Sequence, residues 1–122
     1  MFVLLEAFDA TDIELAHALL AARSAHHELL LVGVNSRDLA TLEVVPGRLI
    51  ALADSLPRQV RRVAESGVAT PEDAARVASH GYSMALVGSA LMSAGDPQAL
   101  AGAMLAEARA AVVARRPAGA RG

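Results

Sequence analysis

Four short segments, each rich in apolar residues and each closing on a polar residue or a glycine, constrain this chain more than anything else in it. Met1 to Phe8 carries Phe2-Val3-Leu4-Leu5 before Glu6, and Leu29 to Val34 closes on Asn35. Val60 to Ala64 closes on Glu65, and Met84 to Val87 on Gly88. The closing residues are 29, 30 and 23 positions apart, which are the lengths of strand-helix units whose strands run parallel. Segments apolar on both faces suit parallel strands covered by helices.

The intervening residues read as helices. Thr11 or Asp12 can cap a helix over Ile13 to Ser24, with Ile13, Ala16, Leu19 and Leu20 at helical spacing, and His26-His27-Glu28 closes the turn after it. Thr41 to Pro46 is a connector. Gly47 to Ser55 forms a short helix with Leu49, Ile50, Leu52 and Ala53 facing inward, and Pro57 stops it. Pro71 to Ser79 follows the third strand, with His80-Gly81 as its C-terminal cap. Asp96-Pro97 opens a last helix with Leu100, Met104, Leu105 and Ala108 on one stripe. The predicted fold is therefore α/β: four consecutive parallel βα units of a barrel or open sheet over residues 1–114. Residues 115–122, rich in Pro, Gly and Arg, are expected to be a disordered tail. At 122 residues the chain has about half of the ~250 that a complete (β/α)8 barrel needs.

The densest local information lies in Val63 to Asp73. Glu65 and Ser66 sit where a buried strand runs out, and Gly67 permits a tight turn. Thr70, Pro71 and Asp73 make a helix opening of capping-box type. In parallel α/β folds the C-terminal strand ends and the loops after them face the ligand. Glu6, Asn35 and Glu65 occupy equivalent strand ends and converge on one mouth, where an apolar wall can raise a carboxyl pKa enough for general-base work by Glu6 or Glu65. Gly67 with Gly88-Ser89 forms a second group: amides freed by glycine, at a helix start near Ala90, suit an anion such as phosphate. Arg37 can pair with a ligand carboxylate or phosphate, or with Asp38 or Glu43. Asp9 and Asp38 read as loop caps, and His17, His26, His27 and His80 as surface or capping residues.

Composition closes several routes. With no Cys there is no disulfide framework, thiol nucleophile or Cys-based zinc site, and no metal site is predicted. All eleven basic residues are Arg, which excludes Schiff-base chemistry and a Lys general acid from this chain. A net charge of −2 and 2% aromatic content offer nucleic acid neither a basic footprint nor stacking platforms. The N-terminal apolar run is too short for a membrane span, so a cytoplasmic compartment is expected.

Leu4-Leu5-Glu6-Ala7-Phe8-Asp9, Gly33-Val34-Asn35-Ser36-Arg37-Asp38-Leu39, Val63-Ala64-Glu65-Ser66-Gly67-Val68 and Leu86-Val87-Gly88-Ser89-Ala90-Leu91-Met92, in this order and with these gaps, resemble the C-terminal half of indole-3-glycerol phosphate synthase over about residues 3–110. The resemblance implies strands five to eight of a (β/α)8 barrel. It also implies a carboxy-lyase of tryptophan biosynthesis that closes the indole ring of 1-(2-carboxyphenylamino)-1-deoxyribulose 5-phosphate without metal or organic cofactor. Matched to the family's motifs, Glu6 takes part in proton transfer, Asn35 contacts substrate with Arg37 in the same loop, Glu65 and Ser66 line the substrate site, and Gly67, Gly88 and Ser89 bind its phosphate. The family pattern also has strands one to four, bearing an acid and two lysines that this chain lacks. Three situations are compatible with this: a truncated or misannotated gene product, with Met1 directly before a strand suggesting the loss of a preceding part; a fragment completed by a separate N-terminal half; or a half barrel that associates with itself. Two other functions fit the same residues. One is a catalytically silent half barrel that only binds a phosphate ligand. The other is a phosphoribosylanthranilate isomerase-like barrel, against which Asn35-Ser36-Arg37-Asp38-Leu39 argues.

Overall fold

Side chains alternate across a strand, and in this chain the alternation separates an apolar layer from a polar mouth. The computed structural model describes residues 1–22 and 28–115. Four strands, β1 (Val3–Ala7), β2 (Leu30–Asn35), β3 (Arg61–Glu65) and β4 (Met84–Leu86), form one sheet in the order β1-β2-β3-β4. Every neighbouring pair is parallel, and the register sets Glu6 opposite Gly33 and Asn35 opposite Glu65. Ala7, Val32, Val34 and Ala64 share one face and join the main core with Ile13, Ala16 and Leu20 from the first helix. The other face carries Leu4, Glu6, Gly33, Asn35, Val63, Glu65, Met84 and Leu86.

The helices are α1 (Ala10–Ala22), α2 (Arg48–Ala53), α3 (Pro71–Ser79), α4 (Ser89–Met92) and α5 (Pro97–Arg115). The cap of α1 is neither Thr11 nor Asp12. Asp9 accepts the Asp12 amide at 2.9 Å, and Asp12 reaches back to the Phe8 amide at 2.9 Å. The acid one turn upstream wins because its side chain faces the free amides. Leu19 stays about half exposed while Leu20 is buried. Gly47, at φ 79°, precedes α2, which buries Leu49 and Ala53.

The start of α3 follows its sequence signature: the Thr70 hydroxyl accepts the Asp73 amide, and the Asp73 carboxylate accepts the amides of Ala69 and Thr70. His80 is its C-terminal cap, followed by Gly81 at φ 95°.

β4 ends at Leu86, two residues before the predicted end at Gly88, and α4 starts at Ser89. Asp96 caps α5 through the Ala99 amide at 3.0 Å. That helix packs along α3, burying Met104, whereas Leu105 is 56% exposed and leaves the predicted stripe. Arg115 belongs to α5 and not to a tail; residues 116–122 lie outside the described residues, as do His26, His27 and the predicted helix end at Ser24. Among the described residues no helix is long and apolar enough to cross a membrane.

Candidate active site

At the end of β3 the chain turns through two successive left-handed residues, Ser66 at φ 62° and Gly67 at φ 78°. Glycine accepts this region freely, but serine does so at a cost of about 1 kcal/mol. The turn is held from β2: the Ser36 amide and hydroxyl both donate to the Glu65 carbonyl, at 3.0 and 3.3 Å. A Cβ on Gly67 would stand 2.8 Å from the Ser36 hydroxyl, so close packing and positive φ both call for glycine there.

At the end of β2, the Asn35 amide nitrogen donates to Glu6 Oε1 at 2.8 Å, and Asn35 Oδ1 accepts the Arg37 amide at 2.9 Å. Arg48 donates to the Asn35 carbonyl at 3.1 Å. The Arg37 guanidinium donates to the Leu42 carbonyl, and among the described residues it makes no ion pair with Asp38 or Glu43. Asp38 instead accepts the amides of Ala40 and Thr41, which hold its carboxyl below the usual range. It is a loop cap, whereas Asp9 caps the start of α1.

Glu65 is the unusual group. It is only 6% exposed, and its Oε2 is buried without a hydrogen-bond partner. Burial, followed by the nearby carboxyl of Glu6 and its negative charge, raises its pKa to about 7. A carboxyl in that range both gives and takes protons near neutrality.

Asn35, Arg37, Glu65, Ser66, Gly67, Gly88 and Ser89 line one open cleft of about 880 Å³ together with Val44, Val68 and the β4 end. Seven of the eight residues singled out in the sequence therefore share one hollow. Glu6 does not line it and is joined to it through Asn35, whose amide nitrogen donates to Glu6 Oε1. Ser36, Arg48 and Gly33 complete the support, and none of them is evident from spacing alone. Gly33 left a trace, a lone glycine inside a strand, which marks close approach. His17 and His80 stand apart, with ring nitrogens 2.8 Å from the Ser55 carbonyl and 2.9 Å from the Arg76 carbonyl. Among the described residues no three His, Asp or Glu side chains gather as a metal site would require.

Comparison with known proteins places this geometry. A solved structure of a native KDPGal protein superposes with a TM-score of 0.59 at 26% identity, over 93% of this chain and 50% of that one. The Amycolatopsis orientalis BexX/CysO complex gives 0.61 at 23% identity, over 98% and 46%, a likeness of fold alone. The four parallel βα units are equivalent to the C-terminal half of a (β/α)8 barrel. Among curated proteins, indole-3-glycerol phosphate synthase of Micrococcus luteus is 50% identical over 62 residues, 51% of this chain and 23% of its own length. The same enzyme of Haloarcula marismortui is 37% identical over 102 residues, 69% of this chain and 37% of its own. That of Exiguobacterium sp. is 41% identical over 90 residues, 74% of this chain and 32% of its own. The chain thus spans between about a quarter and two fifths of the length of these relatives. The family model for indole-3-glycerol phosphate synthase matches residues 1–104, and the chain belongs to the indole-3-glycerol phosphate synthase family.

Proposed function

We propose that this chain forms the substrate-holding and proton-transfer rim of an indole-3-glycerol phosphate synthase site. Its reaction is the closure of the indole ring of 1-(2-carboxyphenylamino)-1-deoxyribulose 5-phosphate with loss of carbon dioxide and water. The observation that carries the reading is the sharing of one cleft by Glu65, held near its point of half protonation, and the Gly67 and Gly88-Ser89 backbone. Ring closure needs a proton delivered to the attacked carbonyl oxygen and another removed as the ring becomes aromatic. Glu65 and Glu6 are suited to proton exchange, and Asn35 orients Glu6 through the 2.8 Å hydrogen bond. Gly67, Gly88, Ser89 and Arg37 line one space, which is suited to the substrate phosphate. The chain has no Lys, so the general acid for ring closure comes from residues beyond these four units. The complete site is therefore assembled with a half barrel carrying the family's first four strands.

The test is an assay of indole-3-glycerol phosphate formation by the purified chain, alone and with a supplied N-terminal half. Turnover in the assembled form is expected. In that form Glu6→Gln should lower turnover about 10²-fold with little change in binding. Absence of both turnover and substrate binding in every arrangement would end the reading. The lack of Lys specifically favours a second reading, a silent half barrel that only recognises a phosphate ligand. Calorimetric titration with a substrate analogue separates the two, because binding without turnover in any assembly selects the silent form.

A further inference from the structure

We infer that Gly33 is a positioning residue: its bare backbone opens a passage over β2 through which the carboxyls of Glu6 and Glu65 meet and share one proton. The two acids stand on β1 and β3, which never touch, because β2 lies between them. Adjacent strands are about 4.8 Å apart, so the two acid-bearing strands are separated by about 10 Å. Side chains on the same face can meet only by passing over whatever β2 presents there. The register places Gly33 beside Glu6 on one flank and Val63 on the other, with Asn35 and Glu65 two residues further along the same face.

The fit at this point is tight. A Cβ on Gly33 would stand 2.3 Å from Glu65 Oε2, and 3.1 Å from both the Glu65 carboxyl carbon and a Leu4 methyl. The passage is thus filled by the carboxyl itself, walled by Leu4 and lying beside the buried Val63. Gly33 is not among the glycines with positive φ, so the turn chemistry that explains Gly67 does not explain it. What requires glycine here is the space. Glu65 Oε2, buried and without a partner, lies over Gly33, whose register neighbour on the other flank is Glu6; two like charges brought together in so dry a place repel, so the arrangement favours retaining a single proton between them. Among the described residues no other charge is bonded into the passage: Asn35 beside it is neutral, Arg37 is turned to the Leu42 carbonyl and Arg48 to the Asn35 carbonyl. The catalytic meaning of this rests on the function proposed above, since a shared proton lets one pair serve both as donor and as acceptor during a turnover. The geometry stands without it.

The experiment is a carbon-13 NMR titration of labelled Glu carboxyls in the chain itself, which needs neither substrate nor partner. Glu65 is expected to titrate with a midpoint near 7 in the native protein, identified by its loss in Glu65→Gln. In Gly33→Ala, whose methyl displaces the end of a flexible side chain, the midpoint should fall toward the ordinary 4.5 while circular dichroism remains native. A folded Gly33→Ala with an unmoved Glu65 midpoint would overturn the inference. If that variant does not fold, Glu6→Gln with Gly33 intact decides: the Glu65 midpoint must drop when the shared proton loses its second owner, and an unmoved midpoint again overturns the idea. A Glu65 that titrates as described, in a chain that neither turns over nor binds substrate in any assembly, would refute the proposed activity and leave the positioning role standing.

Discussion

At the residue scale the protonation of Glu65 couples the site to stability. Its folded pKa of about 7 lies above the ordinary 4.5, so the folded chain binds this proton more tightly than the unfolded chain. The slope of unfolding free energy with pH follows the difference in bound protons, and here the unfolded state binds fewer. The contribution is fully present below about pH 4.5 and is lost as pH rises through 7. It amounts to on the order of 2 kcal/mol. Denaturant unfolding at about pH 5 and about pH 8 should show the protein more stable at the lower pH, and Glu65→Gln should remove this group's share of the difference; an equal slope in the variant would remove Glu65 as its source. Ser66 gives a prediction of another kind. Held at φ 62°, it carries strain that Ser66→Gly relieves, raising stability by about 1 kcal/mol in the same measurement. A stability at or below that of the native chain would show that the hydroxyl compensates for the strain.

What the residues reveal in the sequence differs from one to the next, for physical reasons. Glu65, Asn35 and Ser66 are legible because a parallel strand has only one end that faces a ligand. The elevated pKa of Glu65 is legible only as a possibility, since it depends on its burial in the folded sheet and on the charge of Glu6, which stands on another strand. Arg37 shows the limit most clearly. A guanidinium in a loop finds partners among carbonyls as readily as among acids, and here the Leu42 carbonyl takes it.

Among the elements, those with their own capping chemistry are the ones whose bounds can be read directly. Pro71 to Ser79 forms α3 from end to end because Thr70 and Asp73 satisfy each other's amides locally. Thr70→Ala should therefore cost about 1 kcal/mol, and the double change with Asp73→Ala should cost less than the sum of the two single changes, since each alone breaks the reciprocal pair. Strictly additive losses in denaturant unfolding would mean that the two hydrogen bonds act independently. α1 and β4 were harder to delimit. Asp9, Thr11 and Asp12 are all chemically competent caps, and only the path of the chain out of β1 selects Asp9. β4 ends at Leu86 because pairing requires a neighbour, and β3 ends at Glu65, its partner in register. Leu105 leaves the stripe of α5 because that helix lies against α3, not evenly over the sheet.

At the scale of the whole molecule the sheet has two open edges. Among the described residues β1 pairs only with β2 and β4 only with β3. A parallel sheet is ordinarily covered on both faces, but on the inner face here Leu4, Met84 and Leu86 are 37%, 42% and 52% exposed. The order of the units and their parallel direction could be read from spacing, because right-handed crossovers leave few alternatives; whether anything covers the open side could not, because a covering surface would leave no periodicity in this chain. Edges of this kind pair with other strands unless a charge prevents it. The chain by itself should therefore sediment as an associated species. Leu86→Lys places a charge on the inner face of the β4 edge and should shift it toward monomer, with the circular dichroism of the native fold. A native chain that sediments as a monomer across a wide concentration range would show that the exposed edges and inner face do not drive association. An associated chain indifferent to Leu86→Lys would place the contact elsewhere, with the apolar outer residues Leu15 and Leu19 of α1 or Leu105 and Val113 of α5 as the next surfaces to charge.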